Sequence, residues 1–204
     1  MSLLAFVLPV LAYLMGSVST AVIVSRALGL PDPRATGSRN PGATNVLRIG
    51  GKKAAIITLL GDLLKGVLPV VLARGLGAGP VVLAIVAVCA FIGHLYPVFF
   101  GFRGGKGVAT ALGVLLAISP LAGLALLGIW LLVAGIFRYS SLAAVTAAIA
   151  APFVVLLAVA GNRLPYGLAA LTMSVLLLWR HRSNIRNLRN GSESKIGAKA
   201  GPAR

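Results

Sequence analysis

Carboxylates are scarce in this chain: Asp32, Asp62 and Glu193 are the only three among 204 residues. So few acids, so widely scattered, leave no paired-carboxylate acid–base site, no oxygen cage for Mg²⁺ and no convincing Ser-His-Asp set. The single cysteine, Cys89, excludes a disulfide within the chain, and its apolar surroundings make packing its expected role. Two histidines far apart in sequence, His94 and His181, give no zinc-ligand pattern, so no metal is expected. An enzyme built from this inventory must take a substrate that is already activated. Its tools would be binding, positioning and cationic charge stabilisation.

Charge of any kind is sparse, at 11% of residues, and what there is leans one way: nineteen Lys and Arg against three acids, a formal +16. In a soluble protein that excess would suggest nucleic acid. Here it is better explained by the cationic cytoplasmic loops that membrane orientation requires, and no nucleic-acid partner is expected. The abundance lies in apolar residues, 58% of the chain, with a mean hydropathy of +0.98. These values indicate an all-α integral membrane protein of one domain.

Apolar stretches run from about Leu3 to Val24, Ala54 to Ala73, Pro80 to Phe100, Val108 to Ile118, Leu121 to Phe137, Leu142 to Ala160 and Tyr166 to Trp179. This pattern predicts seven transmembrane helices, with a transmembrane domain over 1–193 and a basic cytoplasmic tail over 194–204. The first stretch lacks a basic leader region and an A-x-A-like cleavage site, so a retained first helix is expected. Val108 to Phe137 offers about 30 residues against the roughly 40 that two full crossings need, so short or broken helices are expected there. Irregular backbone at membrane depth survives only where it lines a protein-enclosed or watery space. With the amino terminus outside, the inner joints collect Arg26, Arg34, Arg39, Arg48, Lys52, Lys53, Arg103, Lys106, Arg138 and the tail, against Arg74 and Arg163 outside.

That orientation brings three polar segments to the cytoplasmic face. In Gly37 to Arg48, GSRNPGATNVLR, the residues Ser38, Asn40, Thr44 and Asn45 offer neutral hydrogen bonds, and Arg48 offers a two-pronged phosphate grip. The alternative is a polar loop whose Ser and Asn cap the next helix. Gly104-Gly105-Lys106-Gly107 precedes a helix-forming run, so bare backbone N–H groups and a lysine would suit a phosphate. Taken alone GGKG is a weak motif, since it does not match G-x-x-x-x-G-K-[ST]. On a helix His181 and Asn184 share a face amid arginines and could serve an anion; taken alone, His181 is better read as an interfacial histidine among topology-setting arginines. For His94, late in the third helix, packing at the interface stands beside a chemical role as the simpler expectation. Asp62 and Lys65, one helical turn apart inside a span, are expected to pair or face a cavity.

GSRNPGATNVLR, DLLKG from Asp62 to Gly66, GHLYPVFFGFRGGKGVAT from Gly93 to Thr110 and RHRSNIRNLRNGSESK from Arg180 to Lys195 together resemble the bacterial acyl-phosphate:glycerol-3-phosphate acyltransferases, the PlsY-type membrane enzymes. The resemblance spans essentially the whole chain, in order. One departure is Arg39, where the family pattern usually has glycine. The resemblance implies a seven-helix enzyme of the bacterial inner membrane that moves a fatty acyl chain from acyl phosphate to the 1-hydroxyl of sn-glycerol 3-phosphate, giving lysophosphatidic acid and phosphate, with no cofactor. Membrane lipids and loose coupling to the enzyme that makes acyl phosphate complete the implied partners. Carried onto this sequence, the catalytic residues are Ser38, Lys106 and His181. The substrate-binding residues are Asn40, Gly42, Thr44, Asn45, Arg48, Gly104, Gly105 and Asn184. Three proton routes stand open: His181 as base, a substrate phosphate as acceptor, which is preferred, and an acyl-enzyme on Ser38. A transporter for a phosphate compound and a phosphate-lipid scaffold are the competing classes.

Overall fold

The computed structural model describes residues 3–197. It is helical throughout, in the order α1 (Leu4–Gly16), α2 (Thr20–Ala27), α3 (Ala43–Gly75), α4 (Pro80–Leu95), a short 3₁₀ turn (Val98–Phe100), α5 (Val108–Ile118), α6 (Pro120–Phe137), α7 (Ser140–Ala158), α8 (Leu164–Arg180) and α9 (Arg182–Arg189). Five segments are long and apolar enough to cross a membrane: Leu4–Ala27, Ala43–Gly75, Pro80–Phe100, Pro120–Phe137 and Ser140–Ala158. Val108–Ile118 and Leu164–Arg180 are apolar but shorter. The seven expected stretches are thus all helical, though not all are full crossings by length.

The first stretch is two helices, because the chain turns extended at Ser19 (ψ 90°). Ser17 Oγ donates to the Tyr13 carbonyl at 2.8 Å, and the exposed Val18 carbonyl is taken by Lys65 Nζ at 2.8 Å. A carbonyl released at membrane depth must find such a donor. The second helix begins eleven residues before the apolar run does. Its amino-terminal turns carry the polar motif, and a break at Gly51 (φ 78°, ψ −175°) separates them from the crossing proper. α4 stops at Leu95 because Pro97 drives the preceding residue out of helical conformation.

α5 is the short member, 11 residues and about 16 Å of rise. It lies directly on α3: a β-carbon at Gly113 would come within 2.1 Å of the Leu63 carbonyl oxygen. Thr110 Oγ1 donates to the Asp62 carbonyl at 2.9 Å across the same seam. Bare backbone and a hydroxyl are what hold helices together where water exclusion gives no drive. Phe91, Leu95, Val86, Val114, Val70 and Val155 are fully buried, whereas Leu157, Leu121 and Phe153 point outward as a lipid-facing surface requires.

Asp62 and Lys65 pair at 2.8 Å with side chains 4% and 8% exposed. His94 completes the cluster, its Nδ1 standing 3.7 Å from Asp62 Oδ1, beyond hydrogen-bond reach. Lys65 is occupied by Asp62 and the Val18 carbonyl, so it does not present itself to a ligand.

Candidate active site

The loop between α2 and α3 is organised by one side chain, Asn45, which is 1% exposed. Its Oδ1 accepts the Ser38 N–H at 2.9 Å, and its Nδ2 donates to the carbonyls of Pro33 at 2.9 Å and Thr36 at 3.0 Å. Three bonds from one amide fix the loop from beneath and leave Ser38 and Asn40 on its outer side. Gly42 caps α3 without a side-chain cap, so the polar residues here are not serving the helix end. Thr44 Oγ1 lies 3.3 Å from Ser140 Oγ, joining this loop to the start of α7.

The glycine loop is gripped from two directions. The Gly105 N–H donates to the His94 carbonyl at 3.2 Å. Arg180 donates from Nε to the Gly105 carbonyl at 3.1 Å and from Nη2 to that of Gly104 at 2.8 Å. A β-carbon on Gly105 would fall 2.3 Å from His94 Nε2 and 2.9 Å from the Pro41 carbonyl oxygen. Glycine is therefore demanded by close approach of imidazole and backbone on either side.

Lys106 heads a chain of polar contacts. Its Nζ donates to Asn184 Oδ1 at 2.5 Å, Asn184 Nδ2 donates to Glu193 Oε1 at 2.6 Å, and Ser141 Oγ donates to the same oxygen at 2.6 Å. Glu193 reaches this place because the segment after α9 turns back along the α6–α7 joint, where the Ile196 N–H donates to the Arg138 carbonyl at 2.7 Å. The expected tail over 194–204 thus begins packed against the bundle; residues 198–204 lie outside the described residues.

These elements surround a cleft of about 330 Å³. Of the expected residues, Ser38, Asn40, Gly104 and Lys106 line it directly. Asn184 and Gly105 stand behind Lys106 and Gly104, Arg48 is half-buried near Lys106, and Asn45, Gly42 and Thr44 shape the loop. His181 is 3% exposed at the end of α8. The sequence reading left four lining residues as mere surroundings or unmentioned: Arg180, Arg182, Ser183 and Arg186. Their spacing across the α8–α9 junction, with Arg182 and Arg186 one turn apart, was the pattern that could have placed them together. With Arg39, the lining holds five cations and no carboxylate.

Burial and cation crowding tune the two titrating groups. His181 is pulled down to about 4, by burial first and then by Lys106. Its Nδ1 lies 2.9 Å from the Leu177 carbonyl, an acceptor only, so Nδ1 carries the proton and Nε2 is a bare acceptor. Lys106 is pulled down to about 8, chiefly by burial, with Arg180 and Arg48 adding repulsion and Glu193 opposing them.

Because the lysine is charged below about pH 8 and neutral above it, kcat/KM should fall as pH rises through that value. Glu193→Gln removes the opposing negative charge and should move the falling limb to lower pH, whereas Lys106→Arg should abolish it. A limb that stays in place in Lys106→Arg belongs to another group. At the acid end, a limb near about 6 belongs to the phosphate of the substrate and should survive in His181→Gln, since His181 stays neutral down to about 4.

Comparison with known proteins gives a consistent picture. The family model described as glycerol-3-phosphate acyltransferase matches residues 6–191. A glycerol-3-phosphate acyltransferase of Burkholderia multivorans is 61% identical over 93% of this chain and 89% of its own length. That of Thioalkalivibrio sulfidiphilus is 60% identical over 97% of this chain and 96% of its own. Among solved structures, the chain resembles a crystal structure of PlsY (YgiH), an integral membrane glycerol 3-phosphate acyltransferase, in its glycerol 3-phosphate form: TM-score 0.89, 40% identity, covering 95% of this chain and 96% of that one. The lysophosphatidic acid form of PlsY gives a TM-score of 0.84 at 39% identity, with 95% of each chain covered.

Proposed function

Because this chain belongs to the glycerol-3-phosphate acyltransferase family, we infer that its cationic cleft is where glycerol 3-phosphate meets its acyl donor. The protein is a multi-pass membrane enzyme that transfers a fatty acyl group from acyl phosphate to the 1-hydroxyl of sn-glycerol 3-phosphate, releasing lysophosphatidic acid and phosphate. The observation that carries the site assignment is the lining itself, five cations and no carboxylate at one end of an apolar bundle. Both substrates and both products bear phosphate, and a carboxylate there would repel all four.

The chemistry fits what the side chains can do. The 1-hydroxyl oxygen attacks the carbonyl carbon of the mixed anhydride, the new ester C–O bond forms, and the bond from that carbon to the phosphate oxygen breaks. Lys106, with the neighbouring guanidiniums, offsets negative charge on the attacked carbonyl and the departing phosphate. A histidine held near 4 is a feeble base, so His181 serves as a neutral acceptor that aims the hydroxyl through Nε2. As the ester bond forms, the hydroxyl proton turns from Nε2 to an oxygen of the acyl phosphate, whose phosphate leaves as hydrogen phosphate. Ser38 offers a hydroxyl donor to the substrates; among the described residues no imidazole or carboxylate is hydrogen-bonded to its Oγ, which argues against an acyl-enzyme. Asn184 orients Lys106, and Asn45 acts by shaping the loop.

We place the protein in the bacterial inner membrane with the amino terminus outside and the cleft on the cytoplasmic side. The support is the distribution of charge, since Arg74 and Arg163 belong to the opposite end, donating to the carbonyls of Ile118 and Leu156. Residues 1–193 form the enzyme domain and 194–204 the basic tail, and coupling to the enzyme that makes acyl phosphate is loose.

Purified protein in lipid, given acyl phosphate and glycerol 3-phosphate, should yield lysophosphatidic acid and phosphate in equal amounts. Flux of a phosphate compound into vesicles without lysophosphatidic acid would select a transporter instead. An acyl adduct on Ser38, found by intact mass with donor alone, would reverse the direct-transfer assignment.

A further inference from the structure

A second cleft, of about 350 Å³, opens beside the first and is lined by Asp32, Arg34, Ala35, Arg39 and Arg103. The two clefts share Arg39. Asp32 is already committed: Arg34 Nε donates to its two oxygens at 3.0 and 3.2 Å, and Nη2 donates to Oδ2 at 2.7 Å. That pairing holds the Asp32 carboxyl below the usual carboxylate range. The third nitrogen of the fork, Arg34 Nη1, donates to the Phe100 carbonyl at 3.2 Å and so anchors the cleft to the segment before the glycine loop. With this pair neutralised, Arg39 and Arg103 remain as two exposed guanidiniums facing one hollow with no lining carboxylate left for them.

The rim has a second character. Phe99 and Phe102 are 60% and 58% exposed beside Arg103. Exposed phenyl rings next to an arginine suit a segment whose rings enter the acyl boundary while its cations stay at headgroup level. Arg39 (φ 56°) and Phe102 (φ 59°) both hold the left-handed conformation that L residues adopt at a cost. Strain of this kind persists where surroundings enforce it, and it gathers at ligand sites.

We propose that this second cleft is a phosphate-binding site, in which Arg39 and Arg103 hold the phosphate monoester head of an amphiphile whose chain lies along the aromatic rim. It is a docking place beside the reaction cleft, reached across the shared Arg39. The binding chemistry stands on the cleft alone; only the choice of lysophosphatidic acid as probe rests on the proposed reaction.

The test counts molecules bound. Full-length protein in phosphatidylcholine nanodiscs is titrated with lysophosphatidic acid and read by native mass spectrometry, with and without saturating glycerol 3-phosphate to fill the reaction cleft. One lysophosphatidic acid should remain bound when glycerol 3-phosphate is saturating. Arg103→Gln, an exposed substitution that leaves the fold alone, should weaken that molecule by about tenfold or more, as loss of a charge-assisted contact does. Lys53→Gln, which removes the same charge outside the cleft, should leave it unchanged. Displacement of the retained molecule by inorganic phosphate would extend the site to free phosphate, and resistance would assign it to the lipid head. Without glycerol 3-phosphate two lysophosphatidic acids should bind; a maximum of one in wild type, or equal affinity in wild type and Arg103→Gln, would overturn the proposal. Turnover measured on the same samples separates this from the reaction itself, because an inactive preparation that still retains the molecule indicts only the reaction.

Discussion

Lys106→Met should lower kcat/KM for both acyl phosphate and glycerol 3-phosphate by about 10²–10³, the cost of removing one preorganised charge-stabilising group. Methionine keeps most of the stem, so packing between the glycine loop and α9 is retained and the loss reports charge. The ammonium is held in place by Asn184, itself held by Glu193, and it lies on the cleft that the glycine loop and α9 share. A cation in that position has been stripped of much of its water, so its attraction for developing negative charge is little screened. Steady-state kinetics with each substrate varied in turn checks this. An effect on one KM alone, with kcat preserved, would mean that Lys106 only binds that substrate. Lys106→Arg separates charge from shape: a guanidinium keeps the cation but cannot reproduce a point contact with Asn184 Oδ1, so partial activity is expected.

Gly105→Ala should cost about 10² in kcat/KM, the penalty for shifting reacting groups by about an ångström. The added methyl would sit 2.3 Å from His94 Nε2 and 2.9 Å from the Pro41 carbonyl oxygen, so the loop from Gly104 to Lys106 must move away from both. That movement breaks the two Arg180 contacts to the loop carbonyls and carries Lys106 off Asn184. The damage is local, because the loop lies outside the helices, so melting temperature in detergent should fall by far less than activity. His94→Ala in the same background vacates the space the methyl needs and should restore part of the loss; no recovery would mean that the imidazole is not what the glycine makes room for.

Much of this architecture could be read from the chain, for reasons that differ by element. α5 was visible to the residue because Gly107 and Ser119-Pro120 bracket a run that is apolar but for Thr110. The first stretch was seen as one helix because Ser17, Val18 and Ser19 look like tolerable small residues; only Lys65, 47 positions away, makes a break there affordable. Within the site, Ser38, Asn40, Gly104 and Lys106 stood out as polar anomalies in an oily chain. Glu193 did not, because its meeting with Ser141 spans 52 positions and depends on a turn after α9 that no periodicity announces. Asn45 was recognised as polar but its direction was not: a sequence displays an amide and hides whether it faces a ligand or the loop's own carbonyls. Arg39 was flagged as unusual for want of a glycine, and the left-handed backbone now gives that expectation its physical reason.

The Asp62–Lys65 pair also bears on how the chain enters a bilayer. A lone carboxylate or ammonium near the middle of a span opposes insertion by about 2.5–3.5 kcal/mol on translocon scales. Here both charges ride on α3, one turn apart, and contact each other at 2.8 Å. The segment can therefore cancel its own charge as soon as it coils, before α4 brings His94 or the joint between α1 and α2 offers the Val18 carbonyl. Each partner chaperones the other through biogenesis, and a nascent chain carrying only one of them would hesitate at the translocon, whatever its finished fold could tolerate.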